Sequence, residues 1–437
     1  MPDGQARTLG SPATTRHAAR PGNLRLVADA EIHEPITVTL VDASPGQSER
    51  PIDLAAFARD LAALRGELDA ALGPEDVAHL TKMARWGRWC TALGYATAWM
   101  FPNPISALLL AHGSTVRWTV VMHHVGHGAY DRVPGAAPRH HSRRFAVGAR
   151  RWLDWLDWIS PQAWRFEHNR VHHPHLGGPD DPDLVQRNID WLRRADLPRI
   201  IKLAVVGFFA CTWKLVYYAA SVFQVHRRGL AHGDPGELRY LDAFDLRTAM
   251  GREFWRTCVL PHALVRFVVI PLLFTPLGAS AVLGVLLTGV IAELLTNIQT
   301  FVLITPNHAG DDLPTFSDRP ASRAEFQWRQ IAGTVNYSTR GDLVAFLHGW
   351  LNYHIEHHLW PDLPVLKYRQ AQARLQALCA RHGVPYRQEG ALRRARRAIA
   401  VMIGEATMRP AVTPAGSRAP ATPRACPRRQ AAGSAPS

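Results

Sequence analysis

Residues 89–127 read WCTALGYATAWMFPNPISALLLAHGSTVRWTVVMHHVGH. Two apolar runs, 90–102 and 104–122, meet at Pro102-Asn103-Pro104. Prolines between apolar runs, with Trp86, Trp89 and Trp99 bracketing the first, predict a helical hairpin that enters and leaves a bilayer. A span takes about 20 residues, so the first arm must begin before Cys90. Arg117 is costly inside an apolar helix and is expected near the interface. The second arm carries Met122-His123-His124-Val125-Gly126-His127 to the membrane surface.

Two later runs, 259–276 and 279–304, flank Pro276-Leu277-Gly278 and predict a second hairpin. The run 200–223 contains Lys202 and Lys214, with Arg193, Arg194 and Arg199 before it and Arg227 and Arg228 after it. Positive charge at both ends puts both ends on one side, so this run is expected to lie in-plane or re-enter. Parity agrees: histidine clusters that meet at one site must be separated by an even number of crossings. The expected fold is therefore mainly α, an integral membrane protein with about four transmembrane helices in two hairpins. A cytoplasmic helical cap carries the histidines. Glu293 and Asn297, one turn apart in the last span, are expected either to serve function or to bond to a neighbouring helix through Arg266 or His262.

The expected organisation is a disordered tail over 1–50, an amphipathic helical segment over 51–84, a membrane domain over 85–390, a basic interfacial helix over 391–409 and a disordered tail over 410–437. In the amphipathic segment, Ile52, Phe57, Leu61, Leu64, Leu68 and Leu72 fall at helical spacing. Arg393, Arg394, Arg396 and Arg397 followed by Ile399, Val401, Met402 and Ile403 suit an anionic membrane surface.

The 437 residues carry a net charge of +14. The excess is arginine at the flanks of apolar runs, and no zinc finger or RNA-recognition signature accompanies it, so positive-inside loops explain it better than nucleic acid. Five scattered cysteines without a CxxC exclude a secreted disulfide scaffold. The first residues lack the apolar core of a secretory signal.

Of 22 histidines, nine lie between His123 and His175. His123 and His127 are four apart, which on a helix places them on one face, while His124 points elsewhere. Glu167-His168-Asn169-Arg170-Val171-His172-His173-Pro174-His175 repeats the spacing, and Asp180, Asp181 and Asp183 follow. The third cluster is His354-Ile355-Glu356-His357-His358, and a lone His308 follows the last span. His17, His33, His79, His226, His232 and His382 read as isolated loop histidines, and His140 and His141 as surface. Imidazole clusters suit iron, zinc or copper. Eight or nine ligands exceed one tetrahedral zinc and suit a pair of metals with positions open to oxygen.

The three clusters, HxxxH, HxxxHH and HxxHH, resemble the boxes of the membrane fatty acid desaturase and hydroxylase superfamily. The segments FEHNRVHHPHLGGPDDPDL and LNYHIEHHLWPDLP are similar to acyl-lipid desaturases, and the resemblance covers roughly 85–390. It implies a di-iron centre at the cytoplasmic membrane face that uses O2 to insert a double bond into a fatty acyl chain. The implied ligands are His123, His127, His168, His172, His173, His354, His357 and His358. His308 resembles an extra histidine of some members, although the asparagine they carry four residues earlier is Ile304 here. His124 stands where many members have an acid, and His354 where front-end members have glutamine. No fused cytochrome b5 motif is visible, so the resemblance implies electrons from a separate ferredoxin or cytochrome b5 type donor. Glu167, Asp183, Glu356 and Asp312 are the acids expected to orient the ligands.

The same site suits a hydroxylase or ketolase acting on a fatty acid, alkane, sphingolipid or carotenoid. A membrane metal-binding or transport protein would instead need ligands within the spans, and these clusters lie at their ends. A zinc hydrolase would need fewer ligands and a general base. Arginine over lysine fits a GC-rich bacterial genome, hence a bacterial inner membrane.

Overall fold

The computed structural model describes residues 52–231, 240–338 and 341–411, with 37–38 as a short strand. The expected tails, 1–50 and 410–437, lie outside the described residues apart from 37–38, 410 and 411, as do His17, His33 and His232.

The described chain is mainly helical. The amphipathic segment forms the helix Leu54–Ala70, started by the Asp53 side chain accepting from Ala56 N at 2.9 Å. Leu54, Phe57, Leu61, Leu64 and Leu68 are buried on one face. The helix docks on Val365–His382 through Asp60 with His382 at 2.9 Å, and its Arg65 holds Asp362 with two bonds of 2.8 Å.

Four helices are long and apolar enough to cross a membrane: Pro104–Gly126, Arg199–Gly229, Ala249–Leu277 and Ala279–Asn307. The expected number holds, but the members differ. The first hairpin arm is the helix Pro74–Ala98, whose Lys82, Arg85 and Arg88 keep it off that set. It still packs tightly on Pro104–Gly126: a Cβ at Gly94 would stand 2.7 Å from the Leu110 side chain, so small residues let the backbones approach. Asn103 caps the second arm, accepting from Ser106 N at 2.8 Å ahead of Pro104. Gly278, at φ 95°, makes the second turn.

The run expected in-plane is the continuous helix Arg199–Gly229, which has the length and composition to cross. Both its ends are nevertheless tied to elements beside the histidines. Arg199 meets Glu405 at 2.6 Å, and His226 packs on Phe166 with ring centroids 5.4 Å apart. Its lysines are satisfied internally. Lys202 donates to Arg193 O at 2.9 Å, and the buried Lys214 bonds Asp157 at 2.6 Å.

Glu293 and Asn297 are spent on helix contacts. Trp158 Nε1 donates to Glu293 at 2.6 Å, His262 stands 3.8 Å from it, and Asn297 accepts from Lys214 N at 2.9 Å. Arg266 turns instead to Tyr95, at 2.5 Å.

Several helices widen into π turns, and three of these precede a proline by two residues. Trp255–Val259 precedes Pro261, Val265–Val269 precedes Pro271, and His168–His172 precedes Pro174. Proline has no N–H and clashes with the carbonyl four residues back. Widening the turn relieves that clash without breaking the helix.

The cap is closed by two parallel two-stranded ladders, Pro314–Thr315 with Arg409–Pro410 and Asn336–Tyr337 with Gln388–Glu389. The basic helix is Ala391–Ile403, and two of its arginines are held by acids of the cap. Arg394 is fully buried, bonds both oxygens of Asp312 at 2.6 and 2.8 Å, and donates to Ala309 O at 3.0 Å. Arg397 meets Asp311 at 2.6 Å.

Candidate metal centre and cavity

Four chain segments bring the histidines together. His123 begins the last turn of Pro104–Gly126, and His127 follows that turn. His168 and His172 bound the π turn ahead of Pro174, with His173 next. His308 follows the turn Thr305–Asn307, and His354, His357 and His358 lie on the helix His354–Leu359.

Ligand atoms of His123, His127, His168 and His357 lie within 4.8 Å of one another. So do those of His172, His308 and His358, and of His173, His357 and His358. His123 Nε2 faces His357 Nε2 at 2.9 Å, and His354 Nε2 faces His308 Nε2 at 2.8 Å. All nine expected residues therefore converge, as two adjoining groups with His173 between them. Its ring lies 4.9 Å from that of His357 and 4.2 Å from that of His358.

The ring nitrogens fit a metal pair. His127 Nε2, both nitrogens of His168 and His173, and His358 Nε2 are buried without a hydrogen-bond partner. Such orphans are expensive unless something binds them. Burial, then repulsion from neighbouring imidazoles, holds His127, His168, His354, His357 and His358 well below the ordinary histidine value. Neutral rings with free lone pairs are the form that binds metal.

Other side chains fix ring orientation. His172 Nδ1 sits 2.9 Å from Asp181 Oδ1. Burial opposes a charge on His172, but Asp181 and then Asp183 raise its pKa above the usual value. Gln330 Nε2 donates to His173 O at 3.1 Å, which turns Oε1 towards His358 Nδ1 at 3.2 Å. Tyr368 donates to Trp360 O at 3.2 Å and leaves its oxygen 3.4 Å from His357 Nδ1. In each case a proton on Nδ1 leaves Nε2 free.

The acids expected in that role divide. Asp183 lies 3.9 Å from His172, and burial, with Asp181 adding to it, pushes its carboxyl up to about 6 against His172. Glu167 is fully buried with neither oxygen bonded, and burial raises it well above the carboxylate range. Glu356 touches no histidine nitrogen; it accepts from Tyr386 at 2.6 Å and Asn336 at 2.9 Å. Asp312 is the partner of Arg394, so its expected role is corrected to an ordinary ion pair.

His124 belongs to none of the ligand groups, yet it is not turned away from them: its ring stacks on His123 and meets His357 edge-on at 5.4 Å. His175 bonds Val171 O at 2.7 Å, and His141 bonds Ala136 O at 3.1 Å. His79 is not a loop residue as expected. It is buried in the helix Pro74–Ala98, edge-on to Trp350 at 4.5 Å.

A cavity of about 250 Å³ reaches this cluster. His123, His168, His172, His308 and His354 form one wall. Trp118, Val205, Phe209, Trp213 and Ile304 make much of the rest. Trp118, Trp213 and Tyr218 pack on one another with centroids 5.4 to 5.9 Å apart.

The profile of the fatty acid desaturase family matches residues 97–390. The chain belongs to the fatty acid desaturase family. It is thus an oxidoreductase. A desaturase relative is the NADPH-dependent stearoyl-CoA 9-desaturase of Mycobacterium tuberculosis, 25% identical over 347 residues, covering 76% of this chain and 74% of the relative. The acyl-lipid (8-3)-desaturase of Mortierella alpina is 22% identical over 327 residues, 69% of this chain and 67% of its own. The delta(8)-fatty-acid desaturase of Euglena gracilis is 33% identical over 107 residues, 24% and 25% of the two chains.

Within the desaturase site, Asp181, Gln330 and Tyr368 went unassigned by sequence reasoning. Asp181 sits in the quoted GGPDDPDL run, but its neighbours Asp180 and Asp183 carry the same local signal. Gln330 and Tyr368 lie on separate helices with no motif to mark them.

Proposed function

We propose that the chain is an O2-dependent di-iron desaturase that inserts a C=C bond into a fatty acyl chain. The observation that carries this reading is the apolar cavity ending on a wall of clustered histidine rings. His123, His127, His168 and His357 would hold one iron, and His172, His308, His354 and His358 the other, with His173 between them. Bound iron and O2 supply an oxidant able to take hydrogen from an unactivated C–H bond, which no side chain can do. Overall, a CH2–CH2 pair, O2, two electrons and two protons give CH=CH and two waters. A separate protein supplies the electrons, and the relative named NADPH-dependent supports a pyridine nucleotide as their source.

The chain's own residues prepare that reaction. Trp118, Phe209 and Trp213 present apolar surface to a methylene chain and exclude water. Asp181, Gln330 and Tyr368 hold three ligand rings in one tautomer. Glu167 and Asp183 place carboxyl groups beside a centre whose neutral ligands leave the metal charge uncompensated. The arginine-flanked helices support an inner membrane setting with the histidines on the cytoplasmic side.

The test is mass spectrometry of lipids from cells expressing the chain beside a His357→Ala control. A loss of two hydrogens that depends on His357 is expected. A gain of one oxygen would replace the desaturase with a hydroxylase using the same ligands.

A further inference from the structure

We infer that a file of water runs from the surface at Glu75 to the back of the histidine cluster, past Asp76, His79 and His124. It carries the protons of the reaction in and its product water out. The inference rests on the desaturase reading and adds a route that the reading itself does not contain.

Asp76, His79 and His124 are 0%, 8% and 2% exposed. Asp76 Oδ1 and both ring nitrogens of each histidine have no hydrogen-bond partner among the described residues. Buried polar atoms are costly to leave unbonded, and internal water serves those that the protein does not. These atoms fall in one row. Asp76 and His79, three residues apart on the helix Pro74–Ala98, share a face. His79 lies within electrostatic reach of His124. His124 stacks on His123 with centroids 5.0 Å apart and meets His357 at 5.4 Å. The row thus ends on two rings of the candidate metal centre. Its outer end is polar as well. Lys367 Nζ bridges Glu75, whose side chain is 53% exposed, and the buried Asp76, at 3.1 and 3.2 Å.

Position separates this row from the cavity. His123 lines the cavity, and none of Asp76, His79 and His124 does. An acyl chain seated between apolar walls shuts out water. Each turnover nevertheless takes up two protons and forms two waters. A second, polar side to the centre meets that need. Charge and spacing favour water over a metal ion in the row. Lys367 repels cations at its outer end, and none of the three residues belongs to a group of donors close enough to hold an ion. Protons travel along the hydrogen bonds of the water, so neither imidazole has to take a charge.

The experiment uses the iron-loaded full chain in phospholipid nanodiscs, exposed to an X-ray pulse that splits water into hydroxyl radicals. Radicals born from internal water oxidise the side chains that hold it, and mass spectrometry maps the sites. After correction for intrinsic reactivity, His79 and His124 are expected to be oxidised about fivefold faster than Tyr337. Tyr337 is fully buried too, but its hydroxyl is bonded to Val302 O and Leu303 O at 3.1 Å. Equal rates overturn the inference. His79→Leu should cut oxidation of His124 about fivefold and raise the solvent deuterium isotope effect on turnover about twofold, with iron per chain unchanged. His79→Gln, whose amide can hold water, should keep the wild-type values. An unchanged isotope effect in a leucine variant that has lost the oxidation overturns the role in proton delivery. If the leucine variant does not fold, the comparison with Tyr337 decides alone. Oxidation needs no turnover, so the two readings fail separately: absence of desaturated product from the wild type defeats the desaturase reading only.

Discussion

His172 Nδ1 and Asp181 Oδ1 lie 2.9 Å apart, with both side chains buried. The same carboxylate accepts from Gly177 N at 2.8 Å and Asp183 N at 2.9 Å, so it is fixed before it fixes the ring. Asp181→Asn keeps the shape and removes the charge. Loss of such a partner typically costs 10–100-fold in metal affinity or activity. Iron per purified chain, titrated against a chelator, should fall by about that factor, with near-normal expression.

His357→Ala should abolish product formation and lower bound iron, because its Nε2 faces His123 and its ring touches both histidine groups. His140→Ala should leave turnover and iron content unchanged, since His140 belongs to no ligand group.

Pro174→Ala should lower activity although every histidine stays in place. Alanine restores the N–H and removes the clash behind the π turn. A regular helix over 168–172 would rotate His168 relative to His173. Metal content and the spectrum of the iron-loaded protein should both change, while the melting temperature holds or rises.

The metal-free protein should be less stable in acid. Each unfolded imidazole takes a proton as pH falls through about 6.5, whereas His127, His168, His173, His308, His354, His357 and His358 stay neutral when buried. The unfolded state then binds more protons, so stability is full above about 6.5 and is lost as pH falls below it. Glu356 acts in the opposite sense. Burial pushes it up to about 7, so its contribution is present in acid and lost as pH rises through that value. Seven imidazoles outweigh one carboxyl, so thermal melts of chelator-treated protein between pH 5.5 and 8.5 should rise with pH and level off above about 7, and Glu356→Gln should steepen the rise.

Arg394→Ala should destabilise the fold by roughly 3–5 kcal/mol, since it empties a fully buried site, takes the donor from Pro306 O and Ala309 O, and leaves the half-buried Asp312 with Arg387 at 3.8 Å. Arg394→Lys should recover part of the loss in the same melts, because lysine restores the charge but not the forked geometry.

The histidine spacing was legible because metal ligation demands particular residue types at particular intervals. The hairpins were legible from apolar length and from Pro102-Asn103-Pro104 and Pro276-Leu277-Gly278. Other features follow from tertiary packing that no local pattern carries. Arg199–Gly229 has the apolar length to cross, and what holds its ends is Glu405 and Phe166, remote in sequence. The basic helix looked like a surface helix because Arg394, Arg396 and Arg397 look alike in sequence. Asp312, 82 residues away from Arg394, decides which one is buried. The role of Tyr368 depends on a contact across 11 residues and a bend that only the folded chain has.

Arg394 also sets an order in time. Its guanidinium clamps Pro306 O and Ala309 O, the two sides of the turn that presents His308. A ribosome releases His308 and the 354–358 cluster well before Arg394. The turn therefore stays unclamped until Arg394 has emerged, so the setting of His308 is completed by a residue made after every clustered histidine.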